Sequence, residues 1–179
     1  AELGTASYVA FVAPGLLVTA AMSVAAFESM WPVMGSLKWD RGYYAASATP
    51  LDAGDLVAGH ALWIVVRTTT TSVLVAGALA LFPDTRSWGL ISAVGACTLV
   101  GVAFAMPLMA FAVTAKMDGS FAGLQRFGII PLFLFGGAFY PLGQLPLLVQ
   151  WLAKVAPLWH GVELARGATE GGLGAAAAL

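Results

Sequence analysis

The sequence predicts an all-α fold, a polytopic bundle of membrane-spanning helices. Of its 179 residues, 60% are hydrophobic and 9% are charged, whereas a soluble domain carries about 25% charged residues. The few charges leave long uncharged runs between them. The formal net charge of -1 and the single cysteine, Cys97, argue against nucleic-acid binding, a disulfide framework and a cysteine metal cluster. We therefore expect one membrane domain over residues 1–179, surrounded by the lipid bilayer.

Four apolar runs are long enough to cross a bilayer. A hydrocarbon core of about 30 Å needs roughly 20 residues of helix, because backbone groups in lipid must be hydrogen-bonded within their own segment. The predicted spans are Tyr8–Leu37, His60–Phe82, Trp88–Ala115 and Phe121–Tyr140. Amphipathic aromatic residues favour the headgroup level, and six of them lie near these ends: Tyr8, Trp31, Trp39, Trp63, Trp88 and Tyr140.

The distribution of basic residues predicts the orientation, because lysine and arginine concentrate on the cytoplasmic side of membrane proteins. One set of span ends is flanked by Lys38, Arg41, Lys116 and Arg126, and the opposite set by Arg86, Lys154 and Arg166. Arg67 lies about two turns inside the second span, and its long side chain would snorkel toward the first set. The first set is therefore predicted to be cytoplasmic, with both chain ends outside.

The first connection, residues 38–59, is the longest polar segment. Thr49 is a suitable helix cap, Pro50 suits the first helical position, and Asp52 would lie beside the positive end of the helix dipole. A helix starting at Pro50 would leave Lys38–Ala48 as a separate short element with two tyrosines. This element either docks a cytoplasmic partner or is an interfacial turn that anchors its tyrosines among headgroups.

Two ionisable residues, Glu28 and Arg67, are predicted to lie deep within spans. A charge inside the bilayer costs several kcal/mol and usually faces a partner in the bundle. Their positions give both residues depths of roughly 10 to 13 Å at about 1.5 Å per residue. The matching depths predict an ion pair between neighbouring helices, and independent snorkelling of each side chain is the alternative.

The last forty residues do not form one clean span. Prolines in the stretch 139–146 and at Pro157 interrupt the helix, so Leu147–Val155 is predicted as one short helix and a second follows Pro157. Such interrupted apolar segments suit a re-entrant or interfacial hairpin on the outer side. His160, Glu163 and Arg166 are spaced three residues apart, which predicts a hydrogen-bonded network. They offer too few ligands for a zinc site.

No nucleotide-binding or hydrolytic motif occurs in the sequence. A phosphate loop, a Gly-x-Ser-x-Gly elbow, a His-Glu-x-x-His helix and a credible Ser/His/Asp set are all missing. We therefore predict no cofactor and no catalytic residue in this chain, and any energy source must reside on another chain.

Several stretches together resemble the type-2 ABC exporter permeases, and within them the NodJ-like and daunorubicin-resistance branch. The matching stretches are residues 10–15 (AFVAPG), 26–29 (AFES), 49–51 (TPL), 139–146 (FYPLGQLP) and 157–167 (PLWHGVELARG). The resemblance covers nearly the whole chain, and the succession of the last two motifs is its most specific part.

The resemblance implies a permease half with six spans of its own, in a bacterial plasma membrane. Such a permease works as a homodimer or heterodimer with two ATPase subunits, which bind ATP and magnesium. Residues 38–48 would form the cytoplasmic coupling helix, with Arg41, Tyr43 and Tyr44 contacting the ATPase. Residues 141–167 would form the outer re-entrant helices that close the exit, followed by a Gly/Ala-rich tail at 168–179. The four spans would correspond to family spans two to five, so we expect a fragment that does not transport alone.

The same resemblance implies a transport path between two permease copies, opened when the ATPases push the coupling helices. Apolar and small residues would line this path, for which we select Phe11, Leu16, Met22 and Phe135; such a lining suits a drug, lipid or lipid-linked glycan. Two other functions remain open. One is an intramembrane interaction or sensory protein without a substrate, and the other is a membrane enzyme using His160, Glu163 and Arg166.

Overall fold

The computed structural model describes residues 8–115, 119–139 and 147–169, and every regular element in these ranges is helical. The α-helices are α1 (Tyr8–Met34), α2 (Gly42–Ser47), α3 (Ala53–Leu79), α4 (Gly89–Thr114), α5 (Gly119–Leu124), α6 (Ile130–Phe135), α7 (Leu147–Val155) and α8 (Pro157–Thr169). Lys116, Tyr140, the proline-containing break at 141–146 and the tail beyond Thr169 lie outside the described residues. The predicted all-α membrane bundle is confirmed.

Three helical segments in the described ranges are long and apolar enough to cross a membrane: Phe11–Trp39, Ala53–Leu79 and Gly89–Thr114. They correspond to the first three predicted spans. The first continues past Met34 through a π-helical turn, Gly35–Trp39, closed by a 3.0 Å bond from the Asp40 N–H to the Gly35 carbonyl. Such wider turns inside helices often occur at functional sites.

The start of α3 differs from the prediction that Thr49 and Pro50 begin the helix. Asp52 is the N-cap: its carboxylate accepts from the backbone N–H of Asp55 and, at 2.7 Å, from that of Ala53, while the Asp55 carboxylate accepts from the Asp52 N–H at 3.0 Å. This reciprocal capping box satisfies backbone donors at the new start. Thr49 instead bonds the Ala46 carbonyl at 2.6 Å, so its hydroxyl belongs to the preceding turn.

The fourth predicted span, Phe121–Tyr140, is shorter than expected. Residues Gly119–Phe135 form a continuous helical segment of 17 residues through α5, a π-helical turn (Gln125–Ile129) and α6. At about 1.5 Å per residue it is roughly 25 Å long, less than a typical hydrocarbon core. The helix ends before Gly136 and Gly137, and Gly137 adopts a left-handed φ of 82°, a conformation typical of helix termini.

Helices α1 and α4 form the centre of the bundle, each packing against α3 and α8. One buried cluster lies toward α8 and comprises Leu17, Val18, Ala21, Met22, Ala76, Leu90, Ala93, Cys97, Val100, Ala138, Leu158, Val162 and Ala165. A second lies toward α2 and comprises Ala25, Ala26, Met30, Val33, Met34, Ile64, Ala105, Leu108, Met109, Ala112, Ala115 and Phe121. Small residues let these backbones approach closely, as is usual for helices in lipid.

Helices α7 and α8 form the two predicted short helices on either side of Ala156. Gly161 of α8 lies directly against Val100 of α4 and Val18 of α1, and Leu158 is fully buried. Because Val100 lies eleven residues into α4, α8 enters the bundle to a depth of about 16 Å. The hairpin therefore packs along the side of α1 and α4 rather than on the bundle end.

Candidate functional site

The most polar part of the bundle interior joins α1 to α3. Arg67 Nε lies 3.0 Å from Glu28 Oε1, so these residues form the ion pair suggested by their matching depths. Glu28 is buried, with 7% of its surface exposed. The Arg67 side chain is half exposed. The pair thus connects the interior of the bundle to its outer face.

Glu28 also accepts hydrogen bonds from two other residues of α3. Trp63 Nε1 donates to Glu28 Oε2 at 3.1 Å, and His60 Nε2 lies 3.0 Å from the Glu28 carbonyl oxygen. A carbonyl only accepts, so the His60 Nε2 atom carries the proton. His60 and Trp63 were not predicted as members of this site. Their spacing to Arg67, seven residues for His60 and four for Trp63, is the sequence signal, because it places all three on one side of α3.

The site continues from α3 to the short helix α2. His60 Nδ1 lies 3.2 Å from the Tyr43 hydroxyl, and the two rings meet edge to face with centroids 6.5 Å apart. Burial raises the pKa of the Tyr43 phenol above its usual value. The hydroxyl is therefore protonated at neutral pH and can donate to the imidazole. A continuous chain of contacts thus runs from α2 through His60 to Glu28 and Arg67.

Of the three residues at α2 that were predicted to contact the ATPase, only two are exposed to solvent. Arg41 and Tyr44 are exposed, Tyr44 to 62%. Tyr43, expected as a third contact, is half-buried and turned toward α3. Arg41 adopts a left-handed φ of 53° immediately before α2, which costs about 1–2 kcal/mol for a residue with a Cβ. The turn directs α2 back toward α3.

One further contact holds the α1–α3 loop to α4, and another joins the end of α1 to α5. Lys38 Nζ donates to the Ala115 carbonyl at 2.6 Å, and Ala115 ends α4. The Trp31 ring packs edge to face on Phe121 of α5, with centroids 5.5 Å apart. A cation beside a helix C-terminus is favoured by the helix dipole. The loop is therefore attached to α3 through Tyr43 and to α4 through Lys38, and both contacts would resist motion of α2.

A second polar cluster lies on α8. Arg166 Nη1 donates to Glu163 Oε1 at 3.1 Å, and Arg166 Nη2 donates to the Gly137 carbonyl at 3.1 Å. The guanidinium carbon lies 4.2 Å from the centre of the Phe11 ring. Arg166 therefore joins α8 to α1 and to the bend after α6.

His160 does not join this cluster, contrary to the predicted three-residue network. Its Nε2 atom lies 2.9 Å from the Lys154 carbonyl and its ring packs on Trp159. The reason is local: the Lys154 carbonyl is near the C-terminus of α7, where carbonyls lack helical partners. In the described ranges, no group of three His, Cys, Asp or Glu residues could hold a metal ion.

The four residues selected to line a path do not share one environment. Met22 is fully buried and Phe11 is 8% exposed beneath Arg166, so neither faces an open path in this conformation. Leu16 and Phe135 are exposed to 41% and 43%. A small cavity of about 60 Å³ instead lies between α1 and the π-helical turn at Gln125, lined by Ser23, Ala26, Phe27, Met30, Trp31, Gln125 and Ile129.

We expect Glu28→Ala to lower the free energy of unfolding by about 2–3 kcal/mol, because the Arg67 and Trp63 donors would lose their acceptor. Arg67→Ala should cost less, since its side chain is half exposed. Unfolding of the purified protein by sodium dodecyl sulfate would measure both values and that of the double variant. The loss of unfolding free energy in the double variant should be smaller than the sum of the two single losses, because both variants remove the same ion pair. Strictly additive losses would contradict an interaction between Glu28 and Arg67.

Comparison with known proteins gives a consistent result. The family described as "ABC-2 type transporter" matches residues 2–169. Nodulation protein J of Rhizobium leguminosarum bv. trifolii is 31% identical over 165 residues, which are 92% of this chain and 63% of the relative. Nodulation protein J of Sinorhizobium fredii (strain NBRC 101917 / NGR234) is 33% identical over 165 residues, 89% of this chain and 61% of the relative.

The chain therefore spans less than two thirds of the length of these curated relatives. No solved structure matches it.

Proposed function

Because this chain belongs to the ABC-2 type transporter family, we propose that it is part of the permease subunit of an ATP-driven exporter in a bacterial plasma membrane. The transported molecule would be an amphiphilic drug, a lipid or a lipid-linked glycan. The observation that carries the proposal is the contact chain from α2 to Glu28 and Arg67, because it connects a solvent-exposed helix to two spans. The ATP and magnesium would be bound by a separate ATPase chain.

In this proposal, α2 is the coupling helix. Arg41 and Tyr44 would contact the ATPase, while Tyr43 transmits the displacement of α2 to His60. His60 is bonded to the Glu28 backbone, and Glu28 is paired with Arg67. A push on α2 would therefore tilt α1 and α3 together. Such a change requires two stable packings of the bundle, whose balance the ATPase shifts.

The proposed permease is a dimer, and its path lies between the two copies. Large apolar side chains are exposed on neighbouring parts of the structure: Leu16 and Phe27 on α1, Phe127 in the π-helical turn, and Ile130, Leu134 and Phe135 on α6. These residues would meet the second copy or the transported molecule. Their apolar character suits an amphiphile more than a free sugar or ion.

The hairpin of α7 and α8 would close the outer end of this path. Arg166 contacts Glu163, the Gly137 carbonyl and the Phe11 ring, so it ties the hairpin to α1 and to the end of α6. Opening of the path would require these contacts to separate. The structure with the contacts formed would then represent the closed state.

The test is reconstitution of the full-length permease with its ATPase. The tagged permease should retain the ATPase during purification, and vesicles with both should translocate a nitrobenzoxadiazole-labelled phospholipid only with ATP. An ATPase variant that binds but does not hydrolyse ATP is the matched control. Failure to retain any ATPase encoded beside the permease would contradict the proposal and favour an interaction protein without a substrate.

A further inference from the structure

The outer face of α3 carries an arginine that is only partly satisfied by its ion pair. Arg67 uses Nε to bond Glu28. A guanidinium has five N–H donors, and within the described ranges neither Nη1 nor Nη2 has a hydrogen-bond acceptor. Half of the Arg67 side chain is exposed. The four N–H donors of Nη1 and Nη2 are therefore without an acceptor in the part of the chain that the structure describes.

The surroundings of these donors are apolar. Leu62 and Val66 lie on the same face of α3 and are exposed to 64% and 50%. Because α3 is long and apolar enough to cross a membrane, this exposed apolar face is suited to contact with lipid. A water-soluble anion would have to cross that apolar surface to reach Arg67, which favours an acceptor from within the bilayer.

Trp63 gives the depth of the site. Its ring is 52% exposed, and the Arg67 guanidinium carbon lies 5.9 Å from the ring centre. Exposed tryptophan rings favour the headgroup level of a membrane. Arg67 is one helical turn deeper, about 5–6 Å, a distance that an arginine side chain spans when it snorkels. The donors are thus within reach of the phosphates of the adjacent leaflet.

Glu28 cannot satisfy the remaining donors. Its Oε1 atom accepts from Arg67 Nε, its Oε2 atom accepts from Trp63, and the residue is buried in the bundle. N–H groups left without an acceptor in hydrocarbon carry a desolvation penalty. A phosphodiester has two non-bridging oxygens that fit a guanidinium in a two-bond arrangement.

We propose that the Nη1 and Nη2 groups of Arg67, together with the Trp63 ring, bind the phosphodiester of a membrane phospholipid. The lipid belongs to the leaflet nearer the α1–α3 loop, and its acyl chains lie along Leu62 and Val66. This site is separate from the proposed transport path and does not depend on transport. Bound lipid would stabilise the Arg67 side chain in the conformation that pairs with Glu28.

The test compares two lipids with the same chains in titrations of the full-length protein, followed by native mass spectrometry. Dioleoyl phosphatidylglycerol carries a phosphodiester, and dioleoyl monogalactosyl glycerol does not. The wild-type protein should bind the phospholipid more tightly. The variant with both Glu28→Gln and Arg67→Gln keeps amide donors and acceptors at the pair, and it should bind the phospholipid roughly tenfold more weakly.

Two further variants separate lipid binding from a structural role. Glu28→Gln alone keeps the guanidinium and should retain the phospholipid preference, although the ion pair is lost. Arg86→Gln removes an exposed arginine at the opposite end of α3, and should leave binding unchanged. Equal binding of the two lipids by the wild-type protein would overturn the proposal. So would full phospholipid binding by the variant with both Glu28→Gln and Arg67→Gln, or an equal loss with Arg86→Gln.

Discussion

Replacement of Arg41 by glycine together with Tyr44 by alanine is expected to abolish retention of the ATPase. Both side chains are exposed, Arg41 immediately before α2 and Tyr44 within it. Arginine and tyrosine are the residues that most often dominate the energy of a protein interface, with losses of about 2 kcal/mol or more each. The affinity of the permease for its ATPase should therefore fall at least roughly 30-fold, measured by surface capture of the tagged permease.

Glycine is chosen at position 41 because the native φ of 53° is left-handed. Glycine adopts this conformation without strain, so loss of binding could not be assigned to a distorted turn. The companion variant is Tyr43→Phe, which removes only the hydroxyl bonded to His60. It should keep ATPase binding and lower ATP-driven transport, because transmission to Glu28 is weakened. Loss of binding in Tyr43→Phe, or normal binding in the Arg41/Tyr44 variant, would contradict this division of roles.

Replacement of Gly89 by alanine is expected to displace the end of α8 and destabilise the bundle by about 1–3 kcal/mol. A Cβ at residue 89 would overlap the Ala168 carbonyl group and lie 2.8 Å from the Thr169 Cα. These are backbone atoms, so no side-chain rotation can make room. The midpoint of unfolding in sodium dodecyl sulfate measures the loss.

Gly95 in the same helix provides the matched control. A Cβ at residue 95 would meet nothing within 4 Å, and alanine favours helix over glycine. Gly95→Ala should therefore leave stability unchanged or raise it. Maleimide labelling of Cys97 gives a second measurement, because this thiol is buried in the same cluster as Leu158 and Val162 of α8. Faster labelling of Cys97 is expected in Gly89→Ala only. Equal stability and equal labelling of the two variants would refute the close contact between Gly89 and the end of α8.

Composition and charge spacing were enough to predict three spans, since an uncharged run of sufficient length is helical in lipid by necessity. Depth along a span was also predictable, because each residue advances a helix by a nearly constant distance. For that reason Glu28 and Arg67 could be matched before their contact was known. The end of the fourth span was less predictable. It depends on the left-handed conformation of Gly137, and glycine alone does not specify that conformation.

Whether the remaining residues join the site depends on which face each helix turns toward its neighbours. His60 and Trp63 join Glu28 because α3 turns that face toward α1, and Tyr43 joins them because α2 folds back on α3. The sequence by itself determined that the chain is a membrane bundle, where its long helices lie and which two charges share a depth. Only the tertiary structure decided which faces meet, because in these helices lipid and protein surroundings are almost equally apolar and a sequence pattern cannot distinguish them.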